Sequence, residues 1–301
     1  MGRTINQEEL LAERQKLSDA YFENTLMDIP NIHKGFYYDI IVDDIVITGV
    51  ADNSVVSRGT LTIPDEFTGV ADTEELYNQF LHLAPKKINL GTLTVATHIF
   101  NLPSVKTIEG EFTTKIDFEA FKQAKSLEEI NCPNLMMIDV RGFAGCNKLE
   151  KVNLPSLRVL GNEAFLDCKG LKTFISESYN FVEFNNPEGV FSGCINLSKV
   201  DIKRAVVLPD RTFENCKSLK SLDLPSVYLI GKLALANCKS LTTLRLDSIG
   251  GFKATSLLNC GLTTLNYGGT EENFASVKIE DETELNVFRN VKINYNYRDK
   301  T

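Results

Sequence analysis

Residues 213–235 read FENCKSLKSLDLPSVYLIGKLAL. Apolar side chains fall at Phe213, Leu219, Leu222, Leu224, Val227 and Ile230, and Leu235 opens the next round. Leu222 and Leu224 are two apart, which is strand periodicity. Pro225 then closes the strand, because it has no N–H to donate to a ladder. Phe213 and Cys216 are three apart, so a short helical turn would bring them to one face. A single unit of this kind cannot bury its own apolar side. Identical units stacked on one another can, and they pair each strand with the next at about 4.8 Å.

The stretch repeats. Cys146, Cys168, Cys194, Cys216, Cys238 and Cys260 follow at spacings of 22, 26, 22, 22 and 22 residues. Three residues before each stands Phe143, Phe165, Phe191, Phe213, Leu235 or Leu257. Phe121 continues the series backwards, with Ala124 in the cysteine position. Strand residues recur nine and eleven places after the Phe, as Ile130 and Cys132, Val152 and Leu154, Leu244 and Leu246. In the unit that opens at Phe165 the second of these is read as Ile175, displaced by one. A further apolar pair and a glycine follow, as Leu157, Leu160 and Gly161. A fixed period in this range is the mark of a stacked array.

This pattern resembles the BspA-type leucine-rich repeats, and residues 216–227 are close to a consensus unit of them. The tail is similar to that family's closing segment, in Tyr267-Gly-Gly-Thr-Glu-Glu-Asn-Phe274 and again in residues 291–296. The resemblance spans about residues 59–296. It implies an α/β repeat solenoid, a right-handed superhelix with a parallel sheet on its concave face. It implies no catalytic residue. Members of the family serve as adhesion, host-recognition or protein-interaction surfaces, and they occur in gut bacteria and their phages.

Three segments are expected along the chain. Residues 1–58 form an N-terminal helix and β-hairpin, a cap or anchor that could dock the protein to a larger assembly. The helix starts at a capping-box pattern, Asn6 with Glu9, and carries Leu10, Leu11, Leu17, Tyr21 and Leu26 as a rough apolar stripe. The hairpin is read from the runs 36–42 and 45–50. Residues 59–268 form the solenoid, degenerate over 59–118 and regular over 119–268. Residues 269–301 close the array, whose open end would otherwise expose core and unpaired strand.

Composition removes several classes of function. Lys plus Arg number 32 against 40 Asp plus Glu, a net charge of −8, which disfavours nucleic acid and anionic membrane. No apolar run approaches the length of a membrane-spanning helix. Tryptophan is absent, and the three histidines (His33, His82 and His98) form no metal-ligand signature. No nucleophile-elbow, phosphate-loop or dinucleotide-binding glycine motif occurs. Seven cysteines without a C-x-x-C pair, most at the repeat period, read as a packing ladder of reduced thiols. The chain is therefore expected to be no enzyme and to hold no metal or cofactor. No apolar signal region follows the N-terminus, so virion-associated or cytoplasmic placement is favoured over conventional secretion.

A binding surface can still be located. The residues eight and ten places after each Phe alternate outward from the core. They are Glu129 and Asn131, Lys151 and Asn153, Thr173, Lys199 and Asp201, Ser221 and Asp223, Thr243 and Arg245, then Thr264 and Asn266. The ladder is polar, mixed in charge and free of aromatic residues. A second candidate is the four-residue insertion between Phe165 and Phe191, whose residues 176–187 carry Tyr179, Phe181 and Phe184. Residues 119–268 hold 18 Lys plus Arg against 15 Asp plus Glu, so the array is weakly basic between acidic ends. Two readings follow. The first is a non-catalytic recognition or structural component on a virion or cell surface, which would contact protein or surface glycan. The second is an intracellular adaptor or inhibitor.

Overall fold

The computed structural model describes residues 7–27, 31–41, 44–71, 73–176 and 187–298. It is a right-handed solenoid of stacked parallel strands with few helices. The strand of each coil joins a long sheet that runs the length of the array. Its first section orders Val56–Ser57, Thr60–Thr62, Lys87–Asn89, Thr107–Glu109, Glu129–Asn131 and Lys151–Asn153. Thr173–Ile175 and Lys199–Asp201 then pair with each other, and Ser221–Asp223, Thr243–Leu246, Thr264–Tyr267 and Lys292–Asn294 form the last section.

The second residue of the apolar pair after the proline, with the residue before it, makes a second strand, which the sequence reading did not anticipate. Val95–Ala96, Lys115–Ile116, Met137–Ile138 and Val159–Leu160 pair in parallel. Val207–Leu208, Leu229–Ile230, Gly251–Phe252 and Lys278–Ile279 continue this side sheet beyond the insertion. The glycine after the pair passes close to the preceding coil. A Cβ on Gly161 would stand 2.4 Å from the Val140 nitrogen, and one on Gly231 would stand 2.7 Å from the Asp210 nitrogen. No side chain fits at those two crossings.

The Phe-x-x-Cys segment is a third ladder rather than a helix. Phe121, Phe143, Phe165, Phe191 and Phe213 each donate their N–H to a carbonyl of the next coil at 2.8–2.9 Å. The residues two before and two after the Phe do the same, and the residues between them bond back within their own coil. Such alternation requires positive φ at the flanking positions, met by Glu119 and Gln123, Arg141 and Gly145, Arg211 and Asn215. On the inner side the rings of Phe121, Phe143, Phe165, Phe191 and Phe213 stack at 5.4–5.5 Å between centroids. The cysteines pack beside them as the sequence indicated, but they also donate. Cys146, Cys168, Cys194, Cys216 and Cys238 each point Sγ at the Phe carbonyl of the preceding coil, at 2.9–3.2 Å.

Both ends are covered. The helix Gln7–Met27 sits where the sequence placed it, although its proposed cap Asn6 lies outside the described residues and Leu11 is exposed. Leu17 is buried, its carbonyl accepts from the Tyr38 hydroxyl, and Arg14 donates to the carbonyls of Asp65 and Glu66. The strands Phe36–Ile41 and Asp44–Val50 pair antiparallel as expected, and Val46 and Ile47 also pair with Gly69 and Val70. Within 59–118 the coil that links Thr60–Thr62 to Lys87–Asn89 carries the helix Glu74–Leu83, capped by Thr73 and packed through Leu76 and Phe80. At the other end, Lys278–Ile279 and Lys292–Asn294 extend both parallel sheets by one more coil.

Candidate recognition face

Parallel register turns the outward residues of the long sheet into two straight rows. Glu129 stands beside Lys151, and Asn131 beside Asn153. Thr173 stands beside Lys199. Ser221, Thr243 and Thr264 form one line, and Asp223, Arg245 and Asn266 the other. All thirteen sequence-selected residues are exposed or half-buried, while the residue between each pair faces the interior.

Cross-coil contacts order part of this surface. Lys151 pairs with Glu129 at 3.4 Å, and the Asn153 amide donates to the Asn131 side chain at 2.6 Å. Arg245 lies 3.4 Å from Asp223 and 3.2 Å from Asp247, with its guanidinium 5.9 Å from the centre of the Tyr297 ring. The Lys151–Glu129 pair is solvent-exposed and contributes about 0–1 kcal/mol, whereas the Arg245 side chain is largely covered. Beside the face, hydrogen bonding to Lys106 holds the Glu128 carboxyl below the usual carboxylate range.

The middle of the face departs from the sequence reading. Ile175 is not a displaced core residue. It pairs with Asp201 in the outward row and is 44% exposed, while Ser176 takes the buried position. The Ser176 hydroxyl finds a partner there, the Leu157 carbonyl at 3.1 Å. The ladder is interrupted between Lys151–Asn153 and Thr173–Ile175. At that break a shallow cleft of about 360 Å³ is lined by Glu129, Ile130, Lys151, Val152, Thr173 and Ile175. The loop residues Tyr179, Phe181 and Phe184 lie outside the described residues.

The rows also run further than the sequence placed them. Thr60, Lys87 and Thr107, with Thr62, Asn89 and Glu109, continue them toward the N-terminus, and Lys292 and Asn294 toward the C-terminus. Irregular spacing over 59–118 hid the first group. A larger cleft of about 660 Å³ lies between residues 50–53 and the helix Glu74–Leu83, edged by Asp52, Glu74 and Glu75. Among the described residues, no three His, Cys, Asp or Glu side chains are grouped so as to hold a metal ion. None of their helices is long and apolar enough to cross a membrane.

A coil of about 22 residues with a parallel strand, buried Leu rungs and a Phe-x-x-Cys turn defines a leucine-rich-repeat protein. The chain belongs to the family described as BspA type leucine rich repeat region, matched in six copies over residues 94–186, 114–242 and 187–286. Proteins of this family are in general binding proteins rather than catalysts. No curated protein matches the chain. Among solved structures it is similar to a leucine-rich repeat protein from Bacteroides ovatus, at 19% identity and a TM-score of 0.45, covering 88% of this chain and 78% of the other. It is also similar to a leucine-rich repeat protein of T. pallidum, at 17% identity and a TM-score of 0.41, covering 87% and 97%. A leucine rich cell surface protein from Faecalibacterium prausnitzii shares 16% identity at a TM-score of 0.30, covering 82% and 97%.

Proposed function

We propose that this protein is a non-catalytic recognition component that presents the long sheet's outer face to a protein or a surface glycan, on a virion or a cell surface. One observation carries the reading. Beneath the face the same residue types recur from coil to coil, whereas along one outward row they change at each step from Glu129 through Lys151, Thr173, Lys199 and Ser221 to Thr243. A surface kept only for solubility needs charge but no particular order. A surface that reads a partner needs different groups at fixed places, and the parallel register supplies the fixed places. Residues 1–58 serve in this reading as the end that docks to a larger assembly.

The test is location. The source material is fractionated and the protein is quantified in particles, cell envelope and cytosol. Enrichment in particles or envelope is expected. A wholly cytosolic signal, with co-purification of one soluble partner at fixed stoichiometry, would replace this reading with that of an intracellular adaptor.

A further inference from the structure

The chain is acidic overall, but one strip of it is not. After each Cys turn, four residues and the first residue of the following strand cross the edge of the long sheet. In four successive coils they are residues 169–173, 195–199, 217–221 and 239–243. These segments hold Lys169, Lys172, Lys199, Lys217, Lys220 and Lys239 and no Asp or Glu. All six lysines are exposed.

Inter-coil bonds keep the strip in register. The N–H of Ser198 donates to the Lys172 carbonyl at 2.9 Å, the Asn196 amide to the Lys169 carbonyl at 2.8 Å, and the N–H of Thr242 to the Lys220 carbonyl at 3.0 Å. Ammonium groups therefore follow one another along the solenoid axis at a step set by the strand spacing, about 4.8 Å. Lys217 and Lys239 occupy the same position on adjacent coils, an arrangement that like charge disfavours.

The preceding coils provide an internal control. There the corresponding positions, Lys106, Glu128, Glu150 and Lys172, carry both signs, and Lys106 pairs with Glu128 at 2.9 Å and Lys172 with Glu150 at 3.0 Å. Along the ridge, outside Lys172, the compensation stops. Among the described residues, Lys169, Lys199, Lys217, Lys220 and Lys239 form no ion pair with a carboxylate. The gaps between the lysines are filled by Ser198, Ser218, Ser221, Ser240, Thr242 and Thr243. No aromatic residue interrupts them at the surface, so the strip offers nothing on which bases would stack.

We propose that this lysine ridge binds an acidic polysaccharide, a linear chain that carries a carboxylate or sulfate on successive sugars. Lysine is a flexible point charge with three donors, suited to anions that recur along a line rather than to one planar group. Hydroxyls between the ammonium groups can bond to sugar hydroxyls and to sulfate or carboxylate oxygens. The ridge borders the strand face and shares Lys199, Ser221 and Thr243 with it, so it adds a partner chemistry to the recognition reading, on which it rests, while Lys217, Lys220 and Lys239 lie outside that face.

The test uses the full chain on immobilised heparin and on immobilised polygalacturonate, with poly-L-glutamate and duplex DNA as competitors. The triple variant Lys217→Gln, Lys220→Gln, Lys239→Gln is compared with a control triple on the side-sheet flank, Lys232→Gln, Lys253→Gln, Lys278→Gln. Circular dichroism confirms that both fold. The ridge variant is expected to lose at least about tenfold in affinity at low salt and to flatten the log-log salt dependence by about three, one for each charge removed. The control triple is expected to lose less than about twofold. Equal losses for the two triples would show a diffuse field and overturn the proposal. So would the absence of retention by either polysaccharide, or stronger competition by poly-L-glutamate or DNA than by free polysaccharide. Particle association is scored separately and bears only on the recognition reading.

Discussion

The wall that carries Phe143, Phe165, Phe191 and Phe213 and the face that carries Lys151, Thr173, Lys199 and Ser221 belong to the same coils. Along the wall each coil is tied to its neighbours in three ways, by the stacked ring, by the Phe N–H and by the thiol of the next coil. Along the face a side chain meets its neighbour through a polar contact, exposed at Lys151 and Glu129 and partly buried at Arg245 and Asp223, or through none. The difference teaches where the chain is free to vary. A residue on the wall must suit the coils above and below it, so one solution repeats. A residue on the face has no such obligation, and its identity can be set by a partner.

The sharpest test of this contrast is pH, because it acts on the wall at many points at once. Burial pushes the Cys132 thiol up to about 12 and the Cys260 thiol up to about 11, and it raises Cys168, Cys194, Cys216 and Cys238 as well. In the unfolded chain the same thiols ionise near 9.0. Their contribution to stability is therefore complete below about pH 9 and is withdrawn as pH rises toward the folded values. At one unit above the ordinary value each fully raised thiol withdraws about 1.4 kcal/mol, so the buried thiols of the wall, with Cys132 at the end of a strand, together lose more than any single substitution could remove. Guanidinium denaturation under reductant at pH 7, 9 and 10 is expected to show a steep fall in midpoint above pH 9. A flat profile would break the picture of a wall of buried thiols. In the native protein Cys260, the one half-buried cysteine, is expected to react first with a disulfide reagent.

Single substitutions come next. Phe165 touches the rings of Phe143, Phe174 and Phe191, and Phe213 stacks on Phe191. Phe165→Ala or Phe213→Ala is expected to cost about 3–5 kcal/mol, as large-to-small changes in a close-packed core do. Equilibrium unfolding measures it directly. A cost below 1 kcal/mol would mean that the ring stack does not hold the coils together.

Most of the wall was legible in the sequence, because a buried position that recurs every 22 residues announces itself. The repeat unit, the strands, the outward rows from Glu129 to Asn266 and the reduced cysteines could all be placed from spacing. Other features left no such trace. The side sheet depends on pairs only two residues long, such as Val159–Leu160, which are too short for alternation to show. The thiol-to-carbonyl bonds depend on a carbonyl in another coil. Ile175 misled because an apolar residue near an apolar position is naturally assigned inward, and only the pairing with Asp201 reveals the register. The helix Glu74–Leu83 was lost among units already read as degenerate.

The smallest expected effect is the most telling about function. Lys151 sits on the outer face with 74% of its side chain exposed, and its one cross-coil partner, Glu129, is itself 41% exposed. Removing it breaks an ion pair that solvent already screens, and it leaves no buried group without a partner. Lys151→Ala should therefore change stability by less than about 0.5 kcal/mol, within the range of ordinary surface substitutions. A cost near that of Phe165→Ala would make the face structural, part of what holds the coils in register, and would weaken the reason to look for a partner there. A negligible cost means that folding does not select lysine at this place. Whatever fixes the order of charges from Glu129 to Arg245 must then act from outside the fold, and the residues that matter least to stability become the first to vary in a binding experiment.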